Sequence, residues 1–293
     1  MRQILLGTDW WTDCDDAVAL RLISRSVARE EIRLLGIGLN ACMEDSVASL
    51  VGFLRADGVD GIPVGIDLAG NDFGGCPPYQ RRLASEYAPD VSNGDAEDAV
   101  RLYRRILAEA TEPVEMVEIG YLQVVANLLK SGADDISPKS GIELVRERVS
   151  KIWVMAGKWD GDGEKENNFC RNARSRGAGK AFCALCPVPV TFLGWEVGYG
   201  VITGDRLDEA DHLRRVLMDH GSLSGRHSWD PMLVLMALIG DEEAAGYGTV
   251  TGWASVDADT GANHFVTDPE GLHAYVVKAY EDGYYADWIN WLL

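Results

Sequence analysis

Four carboxylates crowd the segment Gly7-Thr8-Asp9-Trp10-Trp11-Thr12-Asp13-Cys14-Asp15-Asp16-Ala17, all between residues 9 and 16. Like charges this close repel one another, and a bound divalent cation relieves the repulsion. Hard carboxylate oxygens suit calcium or magnesium. Helix capping accounts for part of the pattern, since Asp caps helix N-termini and acids in the first turn suit the helix dipole. It does not account for Asp9, which ends an apolar run ahead of any helix. Asp13 is expected to cap the helix or to support the site from behind. Two other acidic-loop chemistries fail on register. An aspartyl-phosphatase D-x-D loop starting at Asp9 meets Trp11 where it needs an acid, and Asp13-Cys14-Asp15 lies too far beyond the apolar run. A calcium-binding EF-hand loop starting at Asp9 needs Gly and Glu where Cys14 and Leu20 stand.

Such side chains need elements to hold them. Ile4-Leu5-Leu6 reads as a strand ending at Gly7, and Ala17, Leu20 and Ile23 recur at helical spacing after the acids. Strands are then expected at Leu34–Ile37, Pro63–Ile66, Val114–Ile119, Ile152–Met155 and Val188–Leu193. Helices are expected at Ser46–Leu54, Val100–Ala108 and Leu122–Leu129. Alternation of this kind predicts a single α/β domain over residues 1–293, with a mostly parallel, doubly wound sheet flanked by helices. The last third is expected to add helices and a small hairpin near Thr249–Ala262. Asp134–Ser140 and Gly161–Lys165 read as loops. Ligands of open α/β sheets sit beyond the carboxyl ends of the strands, so the residues just after each apolar run are the candidates.

Composition narrows the function. With 27 Lys plus Arg against 46 Asp plus Glu, the 293-residue chain carries a net charge of −19, which repels phosphate backbones and argues against nucleic-acid binding. No apolar run reaches the length of a membrane span. The opening MRQILLGTDWW lacks the marks of a signal peptide, and the six scattered Cys are expected to be reduced thiols in a cytoplasmic protein. Cys183-Ala184-Leu185-Cys186 has no second pair at zinc-ligand spacing. Arg171, Arg174 and Arg176 read as a solvated basic face. Tyr275, Tyr280, Tyr284, Tyr285, Trp288 and Trp291 read as a packed terminal helix or a subunit interface.

The acidic loop resembles the opening of the calcium-dependent, inosine–uridine type of nucleoside hydrolase, D-T-D-M-G-T-D-V-D-D-A, with Trp10-Trp11 in place of Met-Gly and Gly7 in place of the first Asp. Further stretches are similar to the family's blocks, in its order. Gly36-Ile37-Gly38-Leu39-Asn40 resembles the block ending in Gly-Asn, and Ile119-Gly120-Tyr121-Leu122-Gln123-Val124-Val125-Ala126 resembles I-G-P-L-T-N-V-A. Glu166-Asn167-Asn168-Phe169 resembles E-F-N, Pro189 to Val197 the block ending L-D-V-T, and Asp230-Pro231-Met232-Leu233-Val234 the block D-P-L-A-V. The chain is thereby identified as a divergent member.

The resemblance implies calcium as the cofactor, held by Asp9, Asp16, the backbone carbonyl of Gln123 and Asp230. It implies hydrolysis of the N-glycosidic bond of a ribonucleoside, as in purine or pyrimidine salvage, with Asp9 as general base toward a water and an oxocarbenium-like transition state. Ribose contacts map to Asp15, Asn40, Glu166 and Asn168. A homodimer or homotetramer is expected by the same analogy.

Departures from the family pattern gather where the leaving base would sit. Trp10 and Trp11 occupy the turn, where they either wall the pocket and stack on a flat leaving group or pack against the sheet. Asp160 stands for the family's Asn, within reach of a sugar hydroxyl. Trp229 stands where the family often has His, and His227, two residues back, titrates in a useful range. Asn71 to Cys76 takes the place of a missing H-G-x-x-G-L segment, and Glu196 replaces Asp in the L-D-V-T block. Two other readings remain at this level. One is a nucleoside-hydrolase-like ribosyl-binding protein without turnover. The other is a metal-dependent phosphohydrolase, which needs a cation near the acids; Arg21 and Arg25 come next in sequence, already inside the helix.

Overall fold

A computed structural model describes residues 1–11 and 13–293, leaving Thr12 of the acidic loop outside the described residues. Its strands are β1 (Arg2–Thr8), β2 (Ile32–Leu39), β3 (Val64–Ile66), β4 (Glu97–Asp98), β5 (Val114–Glu118), β6 (Val149–Met155), β7 (Glu164–Lys165), β8 (Val190–Leu193), β9 (Ile202–Thr203), β10 (Arg226–His227), β11 (Tyr247–Val256), β12 (Ala262–Thr267) and β13 (His273–Lys278). The helices are α1 (Asp15–Ala28), α2 (Ser46–Ala56), α3 (Pro78–Tyr87), α4 (Ala99–Glu109), α5 (Gln123–Lys130), α6 (Gly141–Arg148), α7 (Asn167–Cys170), α8 (Ala173–Leu185), α9 (Trp195–Gly198), α10 (His212–His220), α11 (Trp229–Ile239) and α12 (Asp282–Leu292).

Eleven strands form one sheet in the order β4-β3-β2-β1-β5-β6-β8-β13-β11-β12-β7, and β9 pairs with β10 separately. Every pairing from β4 to β13 is parallel. The strands beyond β13 are antiparallel. Side chains alternate between the two faces, as a pleat requires. Ile4 and Leu6 of β1 enter one core with α1, α2 and α11, while Leu5 enters a second core with α4, α5 and α8. β6 divides likewise, Trp153 and Met155 to the first core and Ile152 and Val154 to the second. Both faces of the parallel sheet are thus covered, which is why its strands read as continuous apolar runs.

The expected α/β architecture stands, with two differences at its far edge. The hairpin near Thr249–Ala262 is larger than expected: β11 and β12 join β13 and extend the main sheet. The Gly161–Lys165 loop ends in β7, which adds to that edge by pairing with β12. Tyr275 lies in β13, so the C-terminal aromatic run is part strand, with its helix starting at Asp282. Among the described residues no helix is long and apolar enough to cross a membrane.

Candidate active site

From β1 the chain winds outward through β2 and β3 on one side, while β5, β6 and β8 build the other. The seam between β1 and β5 is therefore the switch point, where the loops following the strands part and leave a crevice. Asp9 follows β1, Asn40 follows β2, and Ile119 and Gly120 follow β5. A cavity of about 230 Å³ opens here. Asp9, Asp13, Asp15, Asp16, Glu166 and Asp230 line it, with Trp11, Trp195 and Trp229, and with Ile119, Met155, Asn167, Asn168 and Arg171.

Asp15 and Asp16 open α1, so helix geometry aims both at the crevice, and α11 brings Asp230 from the far end of the chain. One carboxylate oxygen from each of the three lies within 4.8 Å of the others. The Asp230 backbone N–H donates to Asp15 Oδ2 at 3.0 Å and locks the two helices in register. Asp16 Oδ1 accepts from the Thr8 hydroxyl and from the Trp10 backbone N–H. The Trp11 backbone N–H donates to Asp9 Oδ1 at 3.1 Å and orients that carboxyl.

Burial drives the carboxyls of Asp9, Asp15, Asp16 and Asp230 well above their usual range, and the neighbouring acids push the same way. Asp13 differs. Burial pushes it up most strongly, but hydrogen bonds of 2.6 and 2.5 Å from Arg226, the Arg226 charge and the Cys14 backbone N–H together hold it low. It is thus fixed as an ion-pair partner at the cavity edge. Glu166 is pushed up to about 7 by burial, against backbone N–H groups of Asn168 (2.8 Å) and Gly157 (3.0 Å) that favour its charge. Three buried acids converging with so little neutralisation are a donor set of hard oxygens, which fits a divalent cation.

The expected ligands fall together only in part. Asp16 and Asp230 share the cluster, and Asp15, assigned to ribose from the resemblance, joins them as its third member. Asp9 lines the cavity beside them but is not in that trio. Gln123 is buried at the start of α5 and does not line the cavity; its side-chain amide donates to the Asn40 carbonyl. Glu166 and Asn168 line the cavity as expected. Asn168 Nδ2 donates to the Met155 carbonyl at 2.9 Å. Asn40 is fully buried behind the wall, where its Oδ1 accepts from the Tyr121 N–H at 3.0 Å and its Nδ2 has no partner among the described residues.

Three expected contacts lie elsewhere. Trp10 is fully buried in the core, edge-on to Phe53 and Tyr79, with its indole N–H on Ser49 Oγ at 2.8 Å. Its neighbour Trp11 lines the cavity instead, because the left-handed backbone of Trp10 turns the chain between the two side chains. Asp160 does not line the cavity and pairs with Lys158 at 2.7 Å. His227 stacks on the Tyr199 ring with centroids 4.7 Å apart and does not line the cavity. Glu196 accepts the Trp159 N–H at 3.2 Å and stays outside as well. The segment Asn71 to Cys76 does reach the site's rim. Phe73 stacks on Tyr121 at 3.9 Å, and the Trp11 indole N–H donates to the Gly75 carbonyl at 2.7 Å.

Sequence reasoning missed Trp195 and Arg171. Trp195 follows the end of β8, so the strand-end rule points to it. Arg171 directly follows α7, whose Asn167 and Asn168 also line the cavity, although its sequence context reads as a solvated face. Arg21 offers no phosphate site, since its guanidinium is buried against Asp57 (2.7 Å) and Asp211 (2.8 Å). Cys183 and Cys186 are free, and burial raises both thiols, Cys186 to about 11, so they are neutral at ordinary pH.

No protein-family model matches the sequence, and no curated protein matches it. Solved structures do. An inosine-uridine preferring nucleoside hydrolase from Bacillus anthracis aligns over 100% of this chain and 99% of that one, with TM-score 0.71 and 15% identity. A purine-preferring ribonucleoside hydrolase from Gardnerella vaginalis aligns over 99% of both chains, with TM-score 0.70 and 17% identity. The type III effector protein XopQ, in a complex with adenosine diphosphate ribose, aligns over 99% of this chain and 93% of that one, with TM-score 0.67 and 17% identity. The chain has the nucleoside hydrolase fold.

Proposed function

We propose that this protein is a divergent nucleoside hydrolase that cleaves the N-glycosidic bond of a ribosyl compound with the help of a divalent cation, calcium by its ligand chemistry. The observation that carries the reading is the buried trio of Asp15, Asp16 and Asp230, with Asp9 beside it in the switch-point cavity. A cation held by that trio supplies positive charge that keeps the surrounding carboxyls ionised, and Lewis acidity toward water and the sugar diol. Asp9, oriented by the Trp11 N–H, accepts the proton of the attacking water. Glu166 and Asn168 Oδ1 accept from sugar hydroxyls and fix the ring in place. The carboxylates along the cavity stabilise the positive charge that grows on the sugar as the bond breaks. Trp195 and Trp229, stacked with centroids 6.3 Å apart, offer flat apolar surface to a leaving base.

A second reading, ribosyl binding without turnover, is favoured by one observation. The leaving-group wall is indole, and no His lines the cavity among the described residues. A reducing-sugar assay over a panel of purine and pyrimidine ribonucleosides, with calcium and with chelator, separates the two. Chelator-sensitive ribose release is expected, and Asp9→Asn should lower it by about a hundredfold or more while a calorimetric titration still shows binding. An Asp9→Asn protein as fast as wild type would remove Asp9 from the base role. No release from any member by folded, calcium-loaded protein would leave the binding reading.

A further inference from the structure

We propose that Arg171 selects a ribosyl substrate that carries an anionic group, either a carboxylate on the leaving ring or a phosphate on the sugar. The inference rests on the ribosyl reading of this cavity and names its substrate class. Among the described residues Arg171 is the one cationic side chain lining the cavity, against six carboxylates. It forms no ion pair with any of them. The neighbouring cations are engaged, Arg226 on Asp13 at 2.5 Å and Arg174 on Asp72 at 3.3 Å.

Arg171 is nonetheless held in position. Its Nη2 donates to the Phe73 carbonyl at 2.8 Å, and its guanidinium lies 5.0 Å over the Trp11 ring. A guanidinium stacked on an indole keeps its edge donors open. Of its five N–H groups one is used here, and the rest find no protein acceptor among the described residues. That planar fork matches carboxylate and phosphate oxygens. Arg171 also directly follows α7, whose Asn167 and Asn168 line the same cavity, so one short turn carries the sugar-facing groups and the guanidinium.

The charge balance explains why such a residue is needed. A neutral nucleoside requires no cation at the rim, whereas an anionic one would be repelled by the acids unless a fixed positive charge met it. The Phe73 loop that holds Arg171 follows β3, whereas Trp195 follows β8, so the guanidinium's support and the indole wall come from opposite sides of the switch point.

Two matched pairs test the proposal with calcium-loaded full-length protein: adenosine with adenosine 5′-monophosphate, and uridine with its 6-carboxylate analogue, orotidine. Dissociation constants come from calorimetry on Asp9→Asn protein and kcat/KM from wild type. In at least one pair the anionic member should be favoured by about tenfold, and that pair identifies the source of the charge. The preference should vanish in Arg171→Gln and persist in Arg174→Gln, whose guanidinium serves Asp72. Equal or better binding of the neutral members, no binding in either pair, or an unchanged preference in Arg171→Gln overturns the proposal. Ribose release from neutral members without anionic preference would overturn it and leave the hydrolase reading standing. Anionic preference in binding without release would do the reverse.

Discussion

Trp10 holds φ at 50°, in the left-handed region that bulky residues rarely enter. Its surroundings leave it no alternative. Its backbone N–H meets Thr8 Oγ1 at 3.0 Å, its carbonyl accepts from Gln80 at 2.5 Å, and its indole is walled into the core. The strain sits one residue from Asp9 and sets the direction in which that carboxyl leaves β1. A second buried acid, Glu118 at the end of β5, is not part of the cavity. Its Oε1 meets the Tyr103 hydroxyl at 3.2 Å, its Oε2 has no partner among the described residues, and burial raises it from 4.5 to about 8. Folded protein therefore keeps this proton where unfolded chain releases it. The stability that the proton contributes is complete below pH 4.5 and is lost as pH rises toward about 8. Glu118→Gln cannot ionise, so urea midpoints between pH 5 and pH 8.5 should fall less in the variant, by on the order of a few kcal/mol over the range. Parallel profiles would mean that Glu118 is ionised in the folded state. Asp9, Asp16 and Asp230 line the cavity to which the strand-end rule and the order of the blocks pointed. Asp160 and His227, drawn from the same resemblance, do not, since motif order places a residue in the chain but not the direction of its side chain.

At the scale of elements, the site depends on β1, β2 and β5 ending level with one another. Gly120, just beyond β5, makes that possible. A Cβ there would lie 2.3 Å from the Asp9 backbone nitrogen and 2.7 Å from Asn40 Oδ1. Backbone cannot yield by that amount, so Gly120→Ala must push the Asp9 loop outward. Calcium titration and the ribose-release assay should both register it, with kcat/KM down by about a hundredfold from a shift near 1 Å. A variant with wild-type kcat/KM would show that the loop tolerates displacement. The parallel half of the sheet was readable because each strand is a short apolar run followed by an amphipathic helix, both local signals. The antiparallel edge was underestimated for the opposite reason. β11 alternates buried and exposed residues only over Gly252–Val256, and its pairing with β12 and β13, like that of β12 with β7, is determined across the chain.

Across the whole molecule, the acidic trio joins distant parts of the chain, with Asp15 and Asp230 lying 215 residues apart in sequence. Folding brings three acids together, and on the proposed reading a bound cation would offset the cost of burying them. Calcium at a hundred times its dissociation constant should stabilise by about 2.7 kcal/mol, or raise Tm by roughly 4–5 °C for a chain of this size. The rise should be reversed by chelator and absent in Asp230→Asn. A thermal scan unchanged by calcium, magnesium or manganese would dissociate the trio from metal binding. The sequence by itself determined the α/β class, the strand-end location of the chemistry and the acidic loop as its centre, because strand periodicity, charge and the Asp-rich turn are local properties. Only the tertiary structure decided that Asp15 completes the trio, that Trp11 rather than Trp10 faces the cavity, and that Arg171 stands at its rim. Those depend on how α1, α7 and α11 pack around the switch point, and packing between distant segments leaves no periodic trace in the chain.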